Sequence, residues 1–253
     1  VKVSIITPTA GNRFLKDCIN SVRAQTYKNI EHIIVVDGEE RYKNLDPEVV
    51  MSLYEPNDSG IKQHIIILPY PTGTNRYNGH RVYGGTTYFA DGDYHLWLDD
   101  DNALEPDHVE NLVNLVMEKQ LHWAYSFRKI IDKDNNEICL DDCESLGKWA
   151  SILNENDFFV DVNCYFVAKH VAVMLSPVWY RKFREPGQLE IDRAIATVLM
   201  HPNNKLKFDC TQEYTVRYRV GNTDLSVKAD FFLNGNEAML QRHNGILPWK
   251  KQK

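Results

Sequence analysis

Three consecutive carboxylates, Asp99-Asp100-Asp101, follow directly on the apolar run Tyr94-His95-Leu96-Trp97-Leu98. Adjacent carboxylates repel one another unless a cation or strong donors compensate them. If extended geometry persists past Leu98, Asp99 and Asp101 fall on one side of the chain. An all-oxygen set of this kind suits Mg2+ or Mn2+, which keeps some waters and completes its shell with substrate phosphates. The chemistry implied is metal-assisted binding of a diphosphate. An acidic triplet alone is more often a solvated turn or a helix cap. Here an apolar strand precedes it and the loop Asn102-Ala103-Leu104-Glu105-Pro106 opens a helix after it, which favours the metal. A further acid, Asp37, ends a second apolar run, Ile33-Ile34-Val35-Val36.

The elements that must position these acids are legible as short apolar strands alternating with helical stretches. Val3-Ser4-Ile5-Ile6-Thr7 reads as a buried strand, followed by a loop and a helix capped by Asn12, with Phe14, Leu15, Cys18, Ile19 and Val22 on one face. His64-Ile65-Ile66-Ile67-Leu68 is another strand. After the triplet, Val109, Leu112, Val113, Val116 and Met117 trace a helical stripe. Strands are expected again at 123–127, 161–167 and 214–220, with helices at about 190–200 and 229–241 and a turn at 132–136. Nearly continuous apolar strands imply an α/β fold with a mostly parallel central sheet and helices on both faces. Ligands of such sheets bind beyond the carboxyl ends of the strands, where Asp37 and the triplet sit. One continuous domain is expected over 1–253, with a nucleotide half (1–101), an acceptor half (102–222) and a C-terminal helical segment (223–253).

Thr7-Pro8-Thr9 after the first strand, Val35-Val36-Asp37-Gly38 after the second, and Ala90-Asp91-Gly92-Asp93-Tyr94 leading into Leu98-Asp99-Asp100-Asp101 resemble glycosyltransferase family 2, of the GT-A fold. The likeness runs from residue 3 to about 222, with the specific motifs in the first hundred residues. It implies transfer of a sugar from a nucleoside-diphosphate sugar, uridine-linked, to an acceptor hydroxyl, with inversion. Thr7, Pro8 and Thr9 would line the nucleotide, and Asp37 would accept a hydrogen bond from the base. Asp99 and Asp100 would face the donor, and Asp101 with Asp99 would bind Mn2+ or Mg2+. A His completes the metal site in some GT-A enzymes, which makes His243 a candidate. Glu190 and Asp192 stand where the family places its acceptor-activating acid, Glu190 slightly preferred. Two departures stand out. Gly38-Glu39-Glu40 replaces the family's usual Asp-Gly-Ser after the first acid. Asn78-Gly79-His80-Arg81 replaces its Ala-Arg-Asn-x-Gly element, leaving Arg76 and Arg81 as phosphate candidates.

Composition narrows the partners. Lys and Arg number 29 against 35 Asp and Glu, a net charge of −6, so sequence-independent nucleic-acid binding is not expected. Five scattered cysteines make no zinc set, and no apolar run is long enough to span a bilayer. The expectation is a cytoplasmic protein that reaches a glycan or lipid-linked acceptor from the membrane periphery. A nucleotidyltransferase that makes nucleotide sugars is a rival, but Pro8-Thr9-Ala10-Gly11-Asn12-Arg13 lacks its Gly-rich loop and Lys. A catalytically inactive nucleotide- or glycan-binding homologue is a second. A two-carboxylate glycosidase fits less well, because the acids cluster at one strand end.

Overall fold

The computed structural model describes residues 1–182, 190–222 and 226–250. Strand β1 (Val3–Thr9) is buried throughout, and helix α1 (Leu15–Arg23) follows with Leu15, Cys18, Ile19 and Val22 inward. Asp17 in its first turn and Arg23 in its last complement the helix dipole. Asn12 Oδ1 accepts from Phe14 N–H at 3.0 Å, so it caps the turn just before the helix. Strand β2 (Ile30–Val36) lies parallel to β1. Helices α2 (Glu39–Lys43) and α3 (Pro47–Tyr54) lead to β3 (Lys62–Ile67), parallel to β2. Helix α4 (His80–Thr86) then precedes β4 (Tyr94–Trp97), parallel to β1 on its other side.

The second half adds β5 (Ala103–Leu104), α5 (His108–Lys119), β6 (Trp123–Ile131), β7 (Glu137–Leu140), β8 (Tyr165–Ala168), α6 (Lys169–Trp179), α7 (Ile191–Met200), β9 (Phe208–Arg219) and α8 (Ala229–Arg242). One sheet runs β3-β2-β1-β4-β8-β6-β9-β5, with β7 paired to β6. Its first four strands are parallel; β8 enters antiparallel to both β4 and β6. Both faces are covered, and β2 shows why its sequence is apolar without alternation. Ile33 and Val35 pack into the main core, whereas Ile34 and Val36 join Leu15, Ile19, Val49 and Leu53 on the opposite face.

Several elements escaped the sequence pattern. α2, α3, α4 and α6 were not anticipated, because their apolar positions are too few or too continuous to show a period. α4 depends on Gly84, where a Cβ would come within 2.9 Å of Trp179 Cβ in α6. Met117 is a correction: it is 58% exposed, at the solvent edge of the α5 stripe. The 132–136 stretch forms the tight β6–β7 turn, with Asp132 Oδ1 accepting from Asp134 and Asn136 N–H. Of the acidic stretch expected to open α7, residues 183–189 lie outside the described residues, as do 223–225 and 251–253 of the C-terminal segment. No helix among the described residues is long and apolar enough to cross a membrane.

Burial leaves a titration signature. His108 is fully buried with Nδ1 2.7 Å from Thr215 Oγ1, and burial pushes its pKa down to about 3. His32, 1% exposed, is also pushed down to about 3. Between pH 6.5 and about 3 the unfolded chain binds protons that these groups refuse in the fold. Stability present above pH 6.5 is therefore lost as the pH falls, by about 1 kcal/mol per pH unit for each group. Urea unfolding at pH 7, 6 and 5 should show a shallower acid loss in His108→Gln than in the wild type.

Candidate active site

Parallel strands that start together end at a common edge. β1 ends at Thr9 and β2 runs into Asp37. β4 continues through Leu98, whose N–H still donates to Ile6 O at 3.0 Å, into the acidic triplet. A cleft of about 570 Å³ opens on this edge. Residues 8–12, Asp37, Arg41, Gly73, Asn78, Gly79 and all three acids line it. This volume falls in the ordinary range for small-molecule sites.

Extended geometry stops at Leu98. A turn closed by Asn102 N–H to Asp99 O at 3.2 Å carries each acid to a different support. Asp99 Oδ1 accepts from the Tyr83 hydroxyl at 2.5 Å, and Asp99 Oδ2 accepts from Asn163 Nδ2 at 3.0 Å. Asp99 N–H donates to Asn163 Oδ1 at 2.7 Å, so one amide side chain grips both main chain and carboxylate. Asp100 Oδ2 accepts from Thr9 Oγ1 at 2.5 Å. Asp101 Oδ2 accepts from Asn222 Nδ2 at 2.8 Å, while Arg219 Nε donates to Asp101 O at 2.9 Å.

These donors do not balance the charge. Burial, with the Asp101 charge beside it, pushes Asp99 up to about 7 despite Tyr83 and Asn163. Burial likewise pushes Asp100 up to about 7 against its Thr9 bond. Asp101 is raised by burial, with Asn222 and Arg219 opposing. A hard divalent cation fits such a donor set. Among the described residues no three or more His, Cys, Asp or Glu side chains form a cage. A cation would then be held by one or two carboxylates and by oxygens that a ligand brings, as Mg2+ commonly is.

Behind the cleft lies a layer that the sequence pattern did not disclose. Arg128, 1% exposed on β6, donates from Nε to Asp141 Oδ2 at 2.7 Å, from Nη1 to Asp161 Oδ2 at 2.5 Å and from Nη2 to Glu144 Oε2 at 2.6 Å. Asp161 Oδ1 in turn accepts from Asn163 Nδ2 at 2.8 Å. A buried ionic layer therefore reaches Asp99 through two side chains. The available signal was an Arg inside an otherwise apolar strand, which must be paired.

Pro8, Thr9, Asp37 and the triplet line the one cleft together. Thr7 does not: it is fully buried two residues short of the end of β1, with Oγ1 2.9 Å from His32 Nε2 and 3.8 Å from Cys18 Sγ of α1, so only the last residues of the strand reach the cleft. Arg76 is exposed in the loop after β3 and is not among the lining residues. Arg81 points elsewhere, its guanidinium carbon 3.4 Å from the Tyr77 ring centroid and 4.6 Å from that of Tyr180. Among the described residues, the Arg that lines the cleft is Arg41, on α2. His243 caps the far end of α8 and meets Trp249 edge-on at 5.3 Å. Trp249 Nε1 bonds Asp142, so His243 belongs to that cluster and not to the triplet. Trp179 is fully buried core, and all five cysteines are free thiols.

Glu190 and Asp192 sit at the start of α7 in different surroundings. Glu190 Oε2 lies 3.4 Å from Arg193 Nη1, and Arg193 also binds Asp157 and Glu144. Asp192 is held well above the usual carboxylate range by burial, and next by the charges of Asp161 and Asp99.

Comparison with known proteins agrees with this geometry. The sequence pattern of Glycosyl transferase family 2 matches residues 4–175. An uncharacterized glycosyltransferase of Rickettsia conorii is 32% identical over 139 residues, 54% of this chain and 21% of that protein. Glycosyltransferase GlyA of Streptococcus pneumoniae is 26% identical over 141 residues, 51% of this chain and 17% of that protein. The chain thus spans about a fifth of the length of these curated relatives. Among solved structures, S. aureus TarS 1-349 in complex with UDP superposes with TM-score 0.61 at 12% identity, covering 97% of this chain and 72% of that one. The complex with UDP-GlcNAc gives 0.60 at 12% identity, covering 100% and 68%. At such identity the likeness establishes the GT-A-like fold.

Removing the cation from the layer behind the cleft while leaving its acids should be severe. Arg128→Met strands Asp141 and Asp161 without their counter-ion and leaves Glu144 with Arg193 alone, and a loss of about 3–5 kcal/mol is expected from urea unfolding.

Proposed function

Because the chain belongs to glycosyl transferase family 2, we propose that its cleft holds a uridine-linked nucleoside-diphosphate sugar. The sugar then passes, with inversion, to a hydroxyl of a glycan or lipid-linked acceptor. The observation that carries this reading is the under-compensated acidic triplet lining a cleft of about 570 Å³ at the ends of the parallel strands. TarS, of the same fold, has been crystallised with UDP and with UDP-GlcNAc, which supports the choice of base. Residues 1–101 form the donor half in this reading, and 102–222 the acceptor half.

Pro8, Thr9 and the loop to Asn12 would seat the nucleotide. Asp101, with Asp99, would hold Mn2+ or Mg2+; bound there, the ion supplies Lewis-acid neutralisation of the diphosphate leaving group. Asp99 is oriented for that task by Tyr83 and Asn163, and Asp100 by Thr9. Asp192 is assigned the base in preference to Glu190, which is committed to Arg193. It would take the acceptor hydroxyl proton as that oxygen bonds to the anomeric carbon and the sugar–diphosphate bond breaks on the opposite face.

Two experiments test this reading. Transfer from a UDP-sugar should stop with EDTA and return with Mn2+. Asp101→Ala should lose transfer by about a hundredfold or more; full activity in that variant would remove the metal role. Asp192→Asn should lower kcat by about 10²–10⁴ while UDP affinity stays within a few-fold. Glu190→Gln should stay within a few-fold in both, and the reverse ranking would exchange their roles.

A further inference from the structure

The carboxylate of Asp37, which family resemblance would turn toward the nucleotide base, is already occupied by the protein. Asp37 Oδ1 accepts from Thr72 N–H at 2.6 Å and from Thr72 Oγ1 at 2.7 Å. Asp37 Oδ2 accepts from Gly73 N–H at 2.8 Å and from Arg41 Nη1 at 3.3 Å. A carboxylate has about four lone-pair sites, and all of its bonds here run to Arg41 and to one loop. That loop, 72–79, forms a wall of the cleft through Gly73, Asn78 and Gly79.

The loop is closed tightly and under backbone constraint. A Cβ on Gly73 would sit 2.4 Å from Asn78 O and 2.9 Å from Asp37 Oδ2. A Cβ on Gly79 would sit 2.5 Å from Pro8 Cγ on the facing wall. Asn75, Arg76 and Asn78 all adopt left-handed backbone, with φ of 58°, 69° and 48°. Asn visits such angles routinely, whereas Arg76 holds one where surrounding bonds enforce it. The bonds that anchor this loop to β2 are those to Asp37.

Resting on the donor-binding reading above, we propose that Asp37 is a positioning residue that latches the 72–79 loop as the wall of the nucleotide cleft, and that the base is not read by its carboxylate. A base N–H could bond Asp37 only by displacing one of the loop's own donors. Nucleotide affinity then depends on the latch whatever the base, and base selection lies with other groups of the cleft. Thr72 offers a clean handle, because its side chain borders a separate apolar cavity beside Val35 and Leu68 and is not among the residues lining the cleft.

The test combines two readouts on Thr72→Val and Asp37→Asn, with thermal unfolding confirming that each variant folds. Trypsin cleavage after Arg76, exposed within the loop, reports the latch without any ligand. Both variants should be cut several-fold faster there than the wild type. Calorimetric titration with UDP, GDP and ADP, each with Mn2+, reports the cleft. Both variants should weaken every nucleotide that the wild type binds by a common factor of about ten, the weight of a charge-assisted hydrogen bond. The ratios among nucleotides should stay put. Wild-type cleavage rates in Thr72→Val, or a loss in Asp37→Asn confined to UDP, would overturn the latch. If the wild type binds none of the three, the donor-binding reading fails, and the cleavage rates alone decide whether Asp37 holds the loop.

Discussion

One guanidinium holds together the acidic interior on which this site is built. Arg128 satisfies Asp141, Glu144 and Asp161 at once in a position closed to water, and its carbon lies 4.2 Å from the Tyr218 ring centroid and 5.2 Å from that of Phe232. Coulombic attraction raises the Arg128 pKa well above its ordinary value even though burial opposes it. Asp141 anchors the chain as well, accepting from the N–H groups of Cys143, Glu144 and Ser145. The ionic layer thus stiffens the segment after β7, the turn around Asn163 and, through Asn163, the start of the triplet. Buried ion pairs seldom add stability over an apolar replacement. The gain here is in geometry, since Asp99 can be aimed only if Asn163 is.

The contrast between the two acidic layers explains what the cleft can do. Behind it, Asp141, Glu144, Asp157 and Asp161 each have a direct guanidinium partner in Arg128 or Arg193. At the triplet, the described residues meet the acids with hydrogen bonds from Tyr83, Asn163, Thr9 and Asn222, together with the Arg219 guanidinium near Asp101. That shortfall is what the proposed cation would relieve. A ligand that brings both a cation and phosphate oxygens satisfies acids and ion together. That asymmetry, more than the mere presence of three aspartates, separates the site from a solvated acidic turn.

The elements of the second half serve the same edge of the sheet. β9 runs beside β6 and ends at Arg219, which reaches Asp101 O, Asp132 O, Lys133 O, Asn135 and Asp17. α8 closes over the ionic layer, with Phe232 fully buried and Gly235 pressed against Cys143. The family pattern ends at residue 175, yet Asn222 and Arg219 lie beyond it and touch the triplet.

The sequence by itself determined the strands and the address of the site. Apolar runs ending in acids are a local signal, and parallel strands carry those ends to one edge, so Asp37 and Asp99-Asp100-Asp101 were legible before any coordinates. The direction of each side chain was not. Thr7 is covered by α1 and bonded to His32 although Thr9 on the same face of the strand reaches the cleft, and Arg81 lies against Tyr77 and Tyr180. The partners of the acids were hidden for a plainer reason. Tyr83, Asn163, Thr72 and Arg128 stand 16, 64, 35 and 33 positions from the groups they bind. A hydrogen bond across such separations leaves no periodic trace along the chain, and only the folded sheet brings its two ends within 3 Å.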